Sequence, residues 1–304
     1  MKRIKSILQL CLISQLSFAA FAQDDSTMMA PEPPPTQLFG SGKLLLTGGI
    51  PNLDGAGGGG ITTSALIGGY GTDGQVGGYA NYSLVDVNDY SLTTKSIGFG
   101  LFNRVELSAS KNEFDMEQIG PNFGLGEGYT FKHDVVGLKV RLFGDAILDQ
   151  DSWMPQVSIG ANQKESDNRT VLGAIGAQDY KDTETYLSAT KLFLDIPLLV
   201  NFTARHTRAN QNGILGFGGD QQADKEWLAE GFAALLLNDN LAVGMEYKQN
   251  PDNLSFAKQD DWKDMFLLYT PAKHISIAIA YVDIGDVAQE SNQTGYYAAL
   301  TVNF

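Results

Sequence analysis

The chain has 304 residues, with 21 Lys and Arg against 35 Asp and Glu, a formal charge of −14. Neutralising phosphates requires clustered cations, so this balance excludes nucleic acid as an expected partner. Cys11 is the only cysteine. Everything downstream of it is therefore without a disulfide framework or thiolate chemistry.

Met1 to Lys5 is short and basic, Ile7 to Phe18 is mainly apolar, and Ala20-Phe21-Ala22 has the small-x-small form of a signal-peptidase site. Residues 1–22 are accordingly expected to be a removed signal peptide. Leu10, standing before Cys11 where a lipoprotein wants a small residue, argues against lipidation. Losing Lys2, Arg3 and Lys5 leaves 18 basic residues against 35 acidic ones, a charge of −17. Residues 23–41 carry Pro31, Pro33, Pro34 and Pro35 and read as a flexible periplasmic lead-in.

From 42 to 304 the composition shows no break, and one β-domain is expected. No run after the signal approaches the ~20 apolar residues of a membrane helix. Strand character is found at 42–50, 61–70, 75–85, 92–102, 104–114, 130–143, 153–164, 183–194, 197–208, 226–237, 240–249, 261–270, 273–284 and 295–304. The spacing thus predicts an all-β, transmembrane, antiparallel up-and-down β-barrel of about fourteen strands, with twelve or sixteen as alternatives. Thirty-four glycines fit a curved wall with tight turns.

The connections alternate. Short ones (Gly71 to Gly74, Phe102-Asn103-Arg104, Asp145 to Asp151, Asp195-Ile196-Pro197, Asn238-Asp239-Asn240 and Pro271-Ala272-Lys273) interleave with longer ones at 51–60, 86–91, 115–129, 165–182, 209–225, 250–260 and 285–294. Outer-membrane barrels combine short periplasmic turns with longer external loops in this way. Two of the long segments, Val171 to Ile175 and Ile214 to Phe217, are more apolar than a loop in water requires. Either could fold inward and narrow the lumen; the alternatives are a lid over the mouth or contact with lipopolysaccharide.

Within strands, apolar and polar positions alternate. Val136, Leu138, Val140 and Leu142 oppose Gly137, Lys139 and Arg141; Leu241, Val243, Met245 and Tyr247 oppose Ala242, Gly244, Glu246 and Lys248. A cation on the lipid face costs about 2–4 kcal/mol at the bilayer midplane. Glu106, Lys139, Arg141, Arg205, Glu230, Glu246 and Lys248 are therefore expected to face the lumen and shape the field along it. The segments 183–194, 226–237 and 261–270 alternate poorly and cannot be oriented. Tyr247, Tyr281 and Trp262 near loop ends, and Trp153 and Tyr269 near turn ends, stand where interfacial aromatic girdles form.

The closing segment has Tyr296, Ala298, Leu300, Val302 and Phe304 at every second position. An apolar face ending in Phe resembles the terminal signal of bacterial outer-membrane barrels, whose last strand pairs with the first, here expected near Gly42. A half-buried strand of a soluble β-protein is the alternative reading.

Leu44 to Gly49, the run Asp54 to Gly60, Ala65 to Thr72, Asp149 to Trp153, Ser188 to Leu192, Leu215 to Asp220, Pro251 to Leu254 and Ala280 to Asp283 resemble one Gram-negative family, known as domain of unknown function 3034. The resemblance covers about residues 42–304. It implies an exported barrel-like protein and brings no catalytic residues with it.

Chemistry is sparse. His133, His206 and His274 lack metal-ligand spacing to one another, and Asp86, Asn88 and Asp89 read as turn residues or as a calcium loop. No cofactor, no metal and no enzymatic activity are expected. The expected location is the outer membrane of a Gram-negative bacterium. Partners there are membrane lipid, the barrel-assembly machinery and a small solute, whose passive or facilitated passage through a porin-like channel is the expected function. The different-class alternative is a structural, adhesive or assembly barrel whose loops bind a partner.

Overall fold

The structure, a computed structural model, describes residues 38, 39, 42–147, 149 and 152–304. The expected signal peptide and, apart from Leu38 and Phe39, the lead-in lie outside the described residues. Two elements form inside the molecule, β1 (Ile50–Pro51) and β2 (Gly57–Gly58), a short antiparallel pair. The wall is built from β3 (Val76–Val87), β4 (Ser91–Leu101), β5 (Val105–Asp115), β6 (Thr130–Phe143), β7 (Gln156–Ser166), β8 (Lys181–Phe193), β9 (Leu198–Thr207), β10 (Glu226–Asn238), β11 (Leu241–Lys248), β12 (Trp262–Ala272), β13 (Ile275–Val287) and β14 (Glu290–Asn303). Each pairs antiparallel with its neighbour in sequence, and β14 pairs with β3 to close a barrel of twelve strands.

Twelve of the fourteen expected segments are wall strands; 42–50 and 61–70 are not. They belong to a plug that fills the lumen, and only Ile50 of them takes part in a strand. Their apolar residues do seek burial, but among glycines they cross the interior, where wall side chains rather than a ladder satisfy their backbone. The segment 51–60, expected as an external loop, lies inside with them. Closure therefore falls not near Gly42 but on β3. Gly78 and Phe304 exchange main-chain hydrogen bonds of 2.8 and 2.9 Å.

One end of the barrel carries the short turns, and Phe102 and Asn103, both with positive φ (55° and 50°), make the tightest of them. That geometry matches the twist of the strands it joins. At the other end are the long loops 116–129, 167–180, 208–225 and 249–261. Two connections expected to be long are tight there, because the flanking strands extend further: Asn88-Asp89-Tyr90 and Ala288-Gln289.

The outer surface is apolar over the half next to the short turns. Ile97, Phe99, Leu107, Leu138, Ile159, Phe202, Met245, Met265 and Ile279 all project outward, and Val136 is 63% exposed. Nearer the loop end the exterior carries ion pairs, among them Lys95–Glu113, Lys111–Asp134, Lys181–Glu165 and Lys263–Asp283. Tyr247, Tyr281, Tyr296 and Trp227 border the apolar band on the loop side, and Trp153 and Tyr269 on the turn side. Trp262 is a correction: it faces inward, 4% exposed, beside Lys248. A band of this kind on a closed sheet leaves no unpaired backbone edge and matches hydrocarbon, the arrangement that spans a membrane. Of the expected closing face, Tyr296, Val302 and Phe304 are exposed on this exterior and Ala298 and Leu300 half-buried.

Two inner tyrosines lie flat over glycines of the adjacent strand. A Cβ on Gly98 would fall 2.2 Å from the Tyr79 ring, and one on Gly160 2.2 Å from Tyr186. Gly98→Val therefore displaces Tyr79 from the wall, an overpacking that costs about 1–3 kcal/mol. The expected outcome is a lower temperature for conversion of the folded to the unfolded band in gel electrophoresis; an unchanged midpoint would contradict the packing.

Candidate functional site in the barrel lumen

The plug runs from Lys43 to Tyr70 and enters and leaves by the short-turn end, where Lys43 N–H approaches Tyr70 O at 3.5 Å. A turn reverses it at the far tip. The Asn52 side-chain oxygen accepts from the Asp54 and Ala56 N–H groups, and Gly55 takes a left-handed φ of +84°. Asx side chains stabilise such turns by mimicking a backbone carbonyl, and here the turn carries Asp54 deepest into the barrel.

Wall carboxylates hold the plug by its backbone. Glu106 accepts from Gly57 N (2.8 Å) and Gly68 N (2.6 Å), and Glu230 accepts from Thr63 N at 2.8 Å. Glu246 accepts from Gly60 N (2.7 Å), Ile61 N (3.2 Å), Thr62 N (2.9 Å) and the Thr62 hydroxyl (2.6 Å). A Cβ on Gly59 would lie 2.4 Å from the Glu246 carboxylate, so this approach requires glycine. Lys139 pairs with Glu106 at 3.3 Å and donates to the Gly57 and Leu66 carbonyls, both at 2.8 Å. Neutral donors complete the cradle: Asn201 and Thr203 reach Thr63 O, and Ser158 reaches Ala65 O.

At the tip, three anions alternate with three cations. Lys164 bridges Asp54 (2.9 Å) and Glu184 (3.0 Å); Arg205 lies between Glu184 and Glu230, 3.3 Å from each; Lys248 stands 3.9 Å from Glu230. Each of the six is almost wholly buried. The external loop 208–225 meets them from above. Its Asn212, in a left-handed conformation, donates to Asp54 at 2.8 Å and accepts from Lys248 (2.8 Å) and Lys164 (3.2 Å). Plug, wall and loop thus share one network in the middle of the lumen.

The opposite side of the plug is mostly apolar, with the carboxylates of Glu246 and Asp264 at its border. Leu46, Ile50 and Leu66 line a space of about 50 Å³ with Leu199, Phe232, Ala234, Phe266, Leu268 and Ala278. This explains why 226–237 and 261–270 lack alternation: beyond Glu230 and Asp264, both faces of those strands meet apolar surroundings, lipid outside and plug inside.

The seven charged residues expected in the lumen all face inward. Glu106, Lys139, Arg205, Glu230, Glu246 and Lys248 line the plug or its tip, whereas Arg141 sits at the short-turn end and pairs with Asp145 (2.7 Å) and Asp73 (3.0 Å). Instead of lining an open path, they are engaged by protein. Sequence reasoning missed Asp54, Lys164, Glu184 and Asn212. Glu184, Ser188 and Thr190 at alternate positions carried a signal, but Thr183, Thr185 and Lys191 on the outer face masked it.

The two apolar loop segments take different roles. Arg169–Ala174 forms a short helix that lies as a lid at the mouth, and Ile214 to Phe217 is buried behind Asn212. Loop 208–225 is clasped to loop 249–261 at Asp220, whose carboxylate accepts from the Ser255 hydroxyl and N–H. These bonds hold Asp220 below the usual carboxylate range. Asn88 and Asp89 are tied to Asn292 and Gln293 of β14. His206 stacks on Trp227 at 4.9 Å on the outer surface. Among the described residues no group of His, Cys, Asp or Glu could hold a metal ion.

A closed sheet, an apolar exterior belt and a charged interior define a transmembrane β-barrel of outer-membrane type, with a lumen occupied by its own N-terminal segment. The chain belongs to the family described as "Protein of unknown function (DUF3034)", whose model matches residues 47–301. No curated protein matches it. Among solved structures it is similar to the KdgM porin (12% identity, 74% of this chain and 99% of that chain, TM-score 0.48) and to the NanC porin (12%, 75% and 98%, 0.48). It is also similar to outer membrane phospholipase A from Escherichia coli (11%, 78% and 98%, 0.40). At these identities the likeness concerns the barrel, which the strand pairing of this chain already establishes.

Removing one partner from a buried ionic network leaves an uncompensated charge and costs about 3–5 kcal/mol. Asp54→Ala is therefore expected to destabilise the seated plug, raising amide hydrogen exchange across 52–66 while the wall strands stay protected. Exchange identical to wild type would show that Asp54 does not anchor the tip.

Proposed function

We propose that the protein is a plugged outer-membrane channel, with the short turns in the periplasm, that passes a small solute when the segment 43–70 leaves the lumen. One observation carries this reading: the plug enters and leaves by the same end. It can withdraw as a hairpin without unthreading, and its bonds to the wall are all non-covalent. Withdrawal would expose Glu106, Lys139, Asn201, Thr203, Glu230 and Glu246, a polar lining that water can solvate. A barrel meant to stay filled gains little from such a lining, because buried ionic groups are often matched or exceeded by apolar packing. The reading includes no catalytic role.

The rival is a barrel without transport, acting through its external loops. It draws support from the hydrogen bond between Asn212 and Asp54, which ties loop 208–225 to the plug in the middle of the lumen.

Planar-bilayer recording separates the two. Lys43 and Tyr70 are adjacent, so a short Gly-Ser linker can replace 45–69. The full chain is expected to be mostly silent and the deleted chain to show discrete steps. Glu106→Gln with Glu246→Gln, in the full chain, is expected to increase the frequency of opening. Silence from all three, with folded migration on gels, would refute the channel and favour the rival.

A further inference from the structure

The lid helix does not close tightly on the mouth. Beneath it lies a pocket of about 320 Å³ whose walls include Phe114, Phe123, Phe131, Val171, Leu215 and Phe256. It opens to the exterior beside the exposed Thr170 and Ala174, and no charged side chain lines it. Phe123 and Phe256 meet edge to face at 6.1 Å, and Phe114 and Phe131 are tilted to each other at 6.3 Å, so four rings frame the space. Phe114 also lines a second, smaller cavity of about 30 Å³ one layer down, with Ile214 and the plug residues Leu53 and Ile61. Leu215 borders the upper space and Ile214 the lower. The Phe114 ring thus stands between the pocket at the mouth and the cavity against the plug.

Two features argue for a ligand rather than for packing. Loops in water need no such surface, and exposed apolar concavities mark binding sites. A cluster serving only to tie loops together would close up, since a void forfeits contact energy along its lining. The volume falls at the lower end of small-molecule sites, about 300–1,000 Å³.

We propose that this pocket is the external binding site for the transported solute, and that the solute is a small, uncharged, predominantly apolar molecule with at most one hydroxyl-sized polar group, which Thr170 can meet. This rests on the plugged-channel reading for the word "transported", and on the pocket alone for binding.

The test uses the full chain in lipid nanodiscs with a diazirine-bearing decanol as photoprobe, mapped by mass spectrometry. Labelling of 169–175 and of the Phe256 peptide is expected, reduced by excess decanol and unaffected by glucose. Ala174→Trp, which fills the opening, should lower labelling at least tenfold, and Ala174→Ser should leave it intact. Labelling confined to lipid-facing strands, equal labelling of Ala174→Trp, or competition by glucose would each overturn the site. The arms are separable from the bilayer experiment: specific labelling with a silent plug-deleted barrel keeps the site and removes transport. Conductance without specific labelling keeps the channel and removes the site.

Discussion

The structure depends on how buried carboxylates are satisfied. Glu106, Glu230 and Glu246 project from three different strands into a space that lipid surrounds and bulk water does not reach. A carboxylate so placed requires donors, and the wall does not offer enough of them. The glycine-rich plug supplies them as main-chain N–H groups, unobstructed by side chains, and Lys139, Lys164, Arg205 and Lys248 supply the balancing charge. Plug and wall are therefore complementary: each leaves buried polar groups that only the other satisfies.

This complementarity divides the interior into two sides. Where β5 to β9, Glu230 of β10 and Glu246 of β11 face the plug, polar side chains meet its backbone. Where β10 beyond Glu230 and β12 to β14 beyond Asp264 face it, Leu46, Ile50 and Leu66 meet Phe232, Phe266 and Leu268. The polar side gives orientation and register, because each bond has a direction. The apolar side gives burial without direction. Loop 208–225 adds a third participant through Asn212, so the seated plug is held from the long-loop end of the barrel as well.

The wall was legible in the sequence because lipid imposes a strict rule outside. Every position such as Val136 or Ile279 must be apolar, and charged residues such as Lys139 and Glu246 fall by alternation to the inside. The plug was not legible, because Leu44 to Gly49 and Ile61 to Tyr70 have the composition of strands and differ from them only in what satisfies their backbone. That is a tertiary property: it rests on Glu246 lying nearly two hundred residues away from Gly60. Nor could Lys164 and Glu184 be recognised, since polar residues stand on both faces of their strands near the loop end, above the lipid. The terminal pattern marks Phe304 as a closing residue but not its partner, because the segment before β3 has the composition of a wall strand.

Phe304 links events that could otherwise occur separately. Its carbonyl accepts from Gly78 N–H of the first wall strand and from Tyr70 N–H at the exit of the plug, at 2.8 and 3.2 Å. The seam of the sheet and the root of the plug thus share one acceptor. During biogenesis a barrel whose β3–β14 seam is still open lacks this anchor for its plug. Closure of the seam and seating of the plug's root are therefore not independent: displacing Phe304 from Gly78 also removes an acceptor from Tyr70. A single main-chain carbonyl thus sets the plug's root in register with the first and last wall strands.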